Sequence, residues 1–198
     1  MEDKLNYWDN FYKEGNPPIA PSSFSEYAMD YINPQTTLLD IGCGNGRDSL
    51  FFESKGLEVT SIDSSKSVVF LGNPNKFHIA DVVDMNFKAD TYYARFFIHA
   101  ISENLFDLFL ENLNRLMSKT SKFTFETRST KGITSLEKQE TNFQSSIGEK
   151  HFRMLYSKNY LKKKLESHFK FDHLIELNGV ANYKTDKPYV IRGVVSKK

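Results

Sequence analysis

The stretch Leu38-Leu39-Asp40-Ile41-Gly42-Cys43-Gly44-Asn45-Gly46-Arg47-Asp48-Ser49 reads as an apolar strand that runs into a glycine-rich turn and then into a helix. Glycines at alternate positions let the main chain turn sharply, and let a ligand come close where any side chain would collide with it. The helix that follows points its unpaired N–H groups back at the same place, which suits a carboxylate or a phosphate. Asp40 falls at the carboxyl end of the strand, where open α/β sheets bind their ligands. The spacing is G-x-G-x-G, and Arg47 stands where a dinucleotide-binding turn carries its third glycine. A glycine turn without a ligand is the plain alternative.

Downstream of the turn, Asp48 to Lys55 reads as a helix with Leu50, Phe51 and Phe52 turned to the sheet and Gly56 at its C-cap. Leu57 to Ile62 is a second strand that delivers Asp63 at its end, at about the interval from Asp40 at which a βαβ unit places an acid on a ribose. The other reading of Asp63 is the N-cap of a following helix, a role Ser64 or Ser65 could also fill. Lys76 to Ala80 is a third strand ending at Asp81, with His78 on its surface. Only Val83 to Asp90 precede the next strand, too few for the usual helix, so a turn or nothing is expected there. Thr91 to Ile101 is expected as the strand through the middle of the sheet. Arg95 within that apolar run needs an acid or a ligand, because an unpaired buried charge costs several kcal/mol. His99 follows, as a structural residue or a functional one.

Glu103 to Met117 places Leu105, Phe106, Leu108, Phe109, Leu113 and Leu116 at helical intervals, and Lys122 to Arg128 is a strand that sets Arg128 at its carboxyl end. Residues 129–150 are polar and weakly periodic, a long connection of the sort that often forms a lid. Glu149-Lys150-His151-Phe152-Arg153 comes next, then a helix from about Lys158 to His168 capped by Ser157 or Asn159. Phe169 to Leu177 and Pro188 to Val195 are too close for a helical crossover and should pair as an antiparallel hairpin. The expected class is therefore α/β, a doubly wound, mostly parallel seven-stranded sheet closing on that hairpin. Upstream, Leu5, Trp8, Phe11 and Tyr12 share a helical face that Gly15 could end, and Ser25 could cap a helix from Glu26 to Ile32 stopped by Pro34. The aromatic face either packs on the core or covers the turn.

At 198 residues, with 39% hydrophobic and 26% charged positions, the chain is about one domain with a core of ordinary size. A net charge of +1 offers no bulk field for nucleic acid or an anionic membrane, and there is no basic stripe interleaved with aromatics. One cysteine makes no internal disulfide, the histidines are too scattered for a metal, and no apolar run is long enough for a membrane span. The acidic start Met1-Glu2-Asp3-Lys4 lacks the apolar core of a signal peptide, so the cytoplasm is the expected address.

Asp40 to Gly46 resembles motif I, D-x-G-x-G-x-G, of the class I S-adenosylmethionine (SAM) dependent methyltransferases. The resemblance implies SAM as cofactor, S-adenosylhomocysteine as product, Asp63 as the motif II acid, and Asp81 as the motif III acid on the adenine amino group. Val82 would give a main-chain contact and an apolar wall, and His99 would stand among the motif IV residues facing the acceptor. The implied donor set is Trp8, Asp40, Gly42, Cys43, Gly44, Gly46, Arg47, Asp63, Ser64, Asp81, Val82 and Arg95, with residues 1–35 as an N-terminal cap bearing Trp8 and Tyr12 and residues 36–198 as the methyltransferase domain.

Gly42 to Ser49 also looks like the variant in the tellurite-resistance and thiopurine group. Tyr93 to Ile101, His151-Phe152-Arg153 and Lys187 to Arg192 are similar to small methyltransferases of bacterial capsule and surface-polysaccharide biosynthesis. That group tends to carry a second arginine where Met154 stands here. The expected acceptor is a small molecule or sugar/phosphate precursor met by His99, His151, Arg153 and Arg128, as anion-binding groups or, for a neutral hydroxyl, a base. The alternatives are a tellurite- or thiopurine-type small-molecule methyltransferase, a SAM-binding module without turnover and, more distantly, a nicotinamide enzyme.

Overall fold

A computed structural model describes residues 2–14, 17–133, 136–144, 150–182 and 186–198, the side chains of 2–6, 14, 142–144 and 150 apart. In chain order the elements are α1 (Glu2–Glu14), α2 (Ser23–Ala28), β1 (Thr37–Ile41), α3 (Arg47–Ser54), β2 (Glu58–Asp63), β3 (Phe77–Ile79) and β4 (Thr91–Arg95). There follow α4 (Glu103–Leu116), β5 (Lys122–Arg128), β6 (Lys138–Gln144), β7 (Lys150–Tyr156), α5 (Lys158–Leu165), β8 (Phe169–Asn178) and β9 (Tyr189–Lys197). Seven strands form one sheet in the order β3-β2-β1-β4-β5-β9-β8. β9 runs antiparallel to both its neighbours and the remaining pairs are parallel, so the α/β sheet with its closing hairpin is as expected.

The central strands are apolar on both faces because both faces are covered. Leu38, Val59 and Tyr93 point to one side, where they meet Phe24 and Ala28 of α2 and Phe52 of α3. Leu39, Ile62 and Tyr92 point to the other, against Phe106, Phe109 and Leu113 of α4 and Leu161 and Leu165 of α5. Two expected core residues are corrected: Leu50 is 45% exposed and Leu108 51%, while Leu110 is buried. Each follows from its helix's rotation, since Phe52 and Phe109 already take the inward positions.

Other differences have local causes. The cap of α2 is Ser22, whose hydroxyl accepts the Ser25 N–H, and a 3₁₀ turn at Met29–Tyr31 carries on from the helix, so Ser25 lies inside it. No α-helix follows Asp63, only a 3₁₀ turn at Pro74–Lys76 just before β3, and none lies between β3 and β4. β4 stops at Arg95, short of the expected Ile101, because Phe96 takes φ +57° and the chain then turns through a 3₁₀ turn at Ile98–Ala100. The polar connection after β5 contains β6, which pairs with β7 as a separate antiparallel hairpin. Met154 and Tyr156 of that hairpin join the α4 core. Gly15 and Glu149 lie outside the described residues.

Candidate active site

All three turn glycines are left-handed, with φ of +67° at Gly42, +55° at Gly44 and +74° at Gly46, a conformation that strains any residue with a Cβ. The turn is held on the end of β2: the Gly42 and Cys43 N–H groups donate to the Ile62 carbonyl at 2.9 and 3.1 Å. Asp63 Oδ2 accepts the Gly44 N–H at 2.8 Å and Oδ1 accepts the Ser65 N–H at 2.9 Å, so this carboxylate sits beside the turn in an Asx bend. Burial raises its pKa while these N–H bonds pull it down. The space over the glycines is in use. A Cβ at Gly42 would lie 2.9 Å from the Phe97 ring, one at Gly44 would collide with the Tyr12 hydroxyl, and one at Gly46 with the Phe70 ring. The close approach expected of a ligand is thus made by aromatic side chains of this chain, and what fits an adenosyl donor is the Asp63 carboxylate beside the turn.

Asp40 works from beneath. It is buried, takes the Ser49 hydroxyl at 2.6 Å, and Ser49 in turn takes the Ser61 hydroxyl at 3.0 Å. Burial pushes its pKa up to about 8. Burial, and then Asp40 and Asp63, likewise raise the Cys43 thiol. Ser64 is exposed beside Asp63. Asp81 Oδ1 accepts the Val83 N–H at 3.1 Å, and buried Val82 gives its carbonyl to the Asn112 amide at 3.0 Å.

The polar residues of the turn grip the N-terminal segment. The Asn45 amide donates to the Pro18 carbonyl at 2.9 Å and the Arg47 guanidinium to the Ala20 carbonyl at 3.0 Å. Asp48, which sequence reasoning left unassigned, accepts the Ser22 N–H, the Ser22 hydroxyl and the Tyr93 hydroxyl, each at 2.7 Å. An acid in the first turn of a helix was its only sequence signal. α1 lies across the same end of the sheet. Asp9 accepts the Ser65 hydroxyl at 2.5 Å, Tyr12 reaches Gly44, Tyr7 stacks on His151 at 4.2 Å, and Trp8 lies edge-on to His151 at 5.8 Å and stacked on Tyr12 at 6.4 Å.

Beyond β4 the second group of expected residues gathers. His99 is buried and its Nδ1 accepts the Arg128 main-chain N–H at 3.2 Å, which leaves the proton on Nε2. Burial, then Arg153 and Arg128, hold its pKa well below the usual histidine range. His151 Nε2 accepts the Arg153 Nε–H at 2.9 Å, and Arg128 pairs with Asp186. Burial and then Arg128 lower the Arg153 guanidinium. The strained Phe96 presents its ring to both Arg95, at 4.2 Å, and Arg128, at 5.5 Å. Arg95 itself pairs with Glu126. His99, Arg128, His151 and Arg153 therefore form one cluster at the ends of β4, β5 and β7, across β1 from Asp63. Among the described residues no group of three His, Cys, Asp or Glu could hold a metal, and no helix is long and apolar enough to cross a membrane.

A family profile described as tellurite resistance protein TehB matches residues 5–116. No curated protein matches the chain. Among solved structures, the 1,6-didemethyltoxoflavin-N1-methyltransferase of Burkholderia thailandensis, with 1,6-didemethyltoxoflavin and S-adenosylhomocysteine bound, superposes with a TM-score of 0.75 at 14% identity over 98% of this chain and 87% of that one. A SAM-dependent methyltransferase of Methanosarcina mazei gives 0.74 at 16% identity over 86% and 96% of the two chains. The glycopeptide N-methyltransferase MtfA complexed with SAM gives 0.70 at 16% over 90% and 95%. At these identities the likeness is one of fold.

Proposed function

This chain belongs to the family of the tellurite resistance protein TehB, whose profile spans more than half of it, and from that premise we propose that it is a SAM-dependent methyltransferase acting on a small anionic acceptor. SAM, when bound, supplies a methyl group already activated on a sulfonium. The protein holds the donor, aligns the acceptor and excludes water. Asp63 accepts from the ribose hydroxyls and Asp81 from the adenine amino group. Residues 1–35 are the cap, with Trp8 and Tyr12 over the crevice.

The observation that carries the choice of acceptor is the state of the two imidazoles among the guanidiniums. His99 gives its Nδ1 lone pair to a main-chain N–H and His151 gives its Nε2 to Arg153, so both are engaged as hydrogen-bond acceptors where a general base would need a free lone pair. Arg128 and Arg153 stand beside them. An acceptor that is already ionised needs cations to hold it and no base, and this arrangement suits one: a phosphate or carboxylate oxygen of a sugar precursor, or a chalcogen oxyanion such as tellurite.

Transfer of labelled methyl from SAM to a panel of phosphorylated sugars, carboxylates, tellurite, thiols and neutral alcohols tests it. Turnover confined to the anionic members is the expected result. Turnover on thiols or alcohols alone removes the anionic acceptor, SAM binding with no turnover on any member removes the enzyme, and binding of NAD in place of SAM removes the donor.

A further inference from the structure

Residues paired across the β6–β7 hairpin share a side of it, so the register sorts its side chains into two faces. Met154 and Tyr156, with Glu140 and Lys138 opposite them, make one face, and Met154 and Tyr156 join the α4 core. His151, Arg153 and Leu155 make the other, with Thr141 opposite Arg153 and Gln139 opposite Leu155. This second face carries the imidazole–guanidinium cluster, since Arg153 donates to His151 on it. Gln139 stands one pair along from Arg153, a diagonal of roughly 7 Å that a long side chain spans.

Gln139 Oε1 is buried and, among the described residues, accepts no hydrogen bond. A buried amide oxygen without a donor is unfavourable and rare enough to call for a cause. The donors described in the cluster go elsewhere: the Arg128 main-chain N–H to His99, the Arg128 guanidinium to Asp186, and the Arg153 Nε–H to His151. A lone pair is thus held beside the cations and is not used by them. An ionised oxygen cannot satisfy it, because a carboxylate or phosphate oxygen brings only lone pairs and negative charge. An ammonium would be repelled by the neighbouring guanidiniums. What fits is a neutral donor, of which a hydroxyl is the smallest.

Resting on the anionic-acceptor reading, we propose that Gln139 sets acceptor specificity by taking, on Oε1, a hydrogen bond from a hydroxyl that the acceptor carries next to its anionic group. The substrate class is then a hydroxylated organic anion of the sugar-phosphate or sugar-acid kind. An anion with no hydroxyl leaves Oε1 unsatisfied.

Calorimetric titration of the protein saturated with S-adenosylhomocysteine tests this with two matched pairs, each sharing a carbon skeleton and an anionic group: glycerol 3-phosphate against n-propyl phosphate, and glycerate against propanoate. The hydroxylated member of at least one pair should bind about 3- to 10-fold more tightly, the worth of one hydrogen bond. Gln139→Leu keeps the bulk and loses the oxygen. It should erase that preference and leave n-propyl phosphate and propanoate no weaker, which also shows that the variant is folded; Gln139→Met, closer in shape, gives the same comparison if the leucine variant does not fold. A preference absent from the unmodified protein, or one that survives in these variants, overturns the proposal. Equal weakening of both members of a pair in a folded variant also overturns it, since Gln139 would then only support Arg153. If none of the four anions binds, the anionic acceptor falls and this proposal with it, whereas anions bound without preference remove this proposal alone.

Discussion

Asp63 uses each carboxylate oxygen on a main-chain N–H, those of Gly44 and Ser65, and each oxygen has a second lone pair to offer. Asp63→Ala should therefore weaken S-adenosylhomocysteine by tenfold or more, the value of about 1.4 kcal/mol, in a calorimetric titration; unchanged affinity removes Asp63 from the site. On the acceptor side, Arg153→Ala should raise the acceptor KM roughly tenfold, the scale of one charge-assisted bond, with the donor Kd unmoved. Equal loss of both would place Arg153 elsewhere. The turn glycines and Asp63 were legible in the chain because local backbone geometry and a strand-helix-strand interval determine them. Asp48 and Glu126 were not, since what a buried acid does depends on partners brought from other strands, Tyr93 in one case and Arg95 and Arg192 in the other. The acid partner of Arg95 was expected only in kind.

Helices and strands were legible where burial is two-sided or strongly periodic, as in β1, α4 and β9. They were misread where one residue overrides the pattern. Nothing in Tyr93 to Ile101 announces that Phe96 turns left-handed, so apolar character alone extends β4 too far. β6 hides in residues 129–150 because its partner is another short strand, and the pair stands apart from the main sheet. Ser22 and Ser25 are equally good caps by type, and Asp48 decides between them by binding Ser22 twice. That anchor ties α2 to α3 and β4. Asp48→Ala leaves the Ser22 N–H and hydroxyl and the Tyr93 hydroxyl without their acceptor, and at about 1–3 kcal/mol for a buried unsatisfied group the midpoint of urea unfolding should fall clearly. A midpoint equal to that of the unmodified protein would show that the N-terminal segment is held by other contacts.

Across the whole fold, Asp40 makes stability depend on pH in an unusual direction for an acid. Its pKa is raised from 3.8 in the open chain to about 8 in the folded protein, so the native state holds this proton more tightly than the unfolded state does. Its contribution is complete below the lower value, declines as pH climbs towards the upper one, and is gone above it, with a slope of at most about 1.4 kcal/mol per pH unit. Comparing urea midpoints of the unmodified protein and Asp40→Asn from pH 5 to pH 9 isolates it: the difference should grow with pH in favour of the amide, and a constant difference would refute the assignment. The placement of α1 carries one more consequence. The chain has a single tryptophan, and it lies edge-on to His151 and stacked on Tyr12, the residue that meets Gly44. Any shift of that helix as the crevice fills changes the surroundings of the only indole, so its ultraviolet emission serves as an intrinsic optical reporter, readable by stopped flow without attaching a dye.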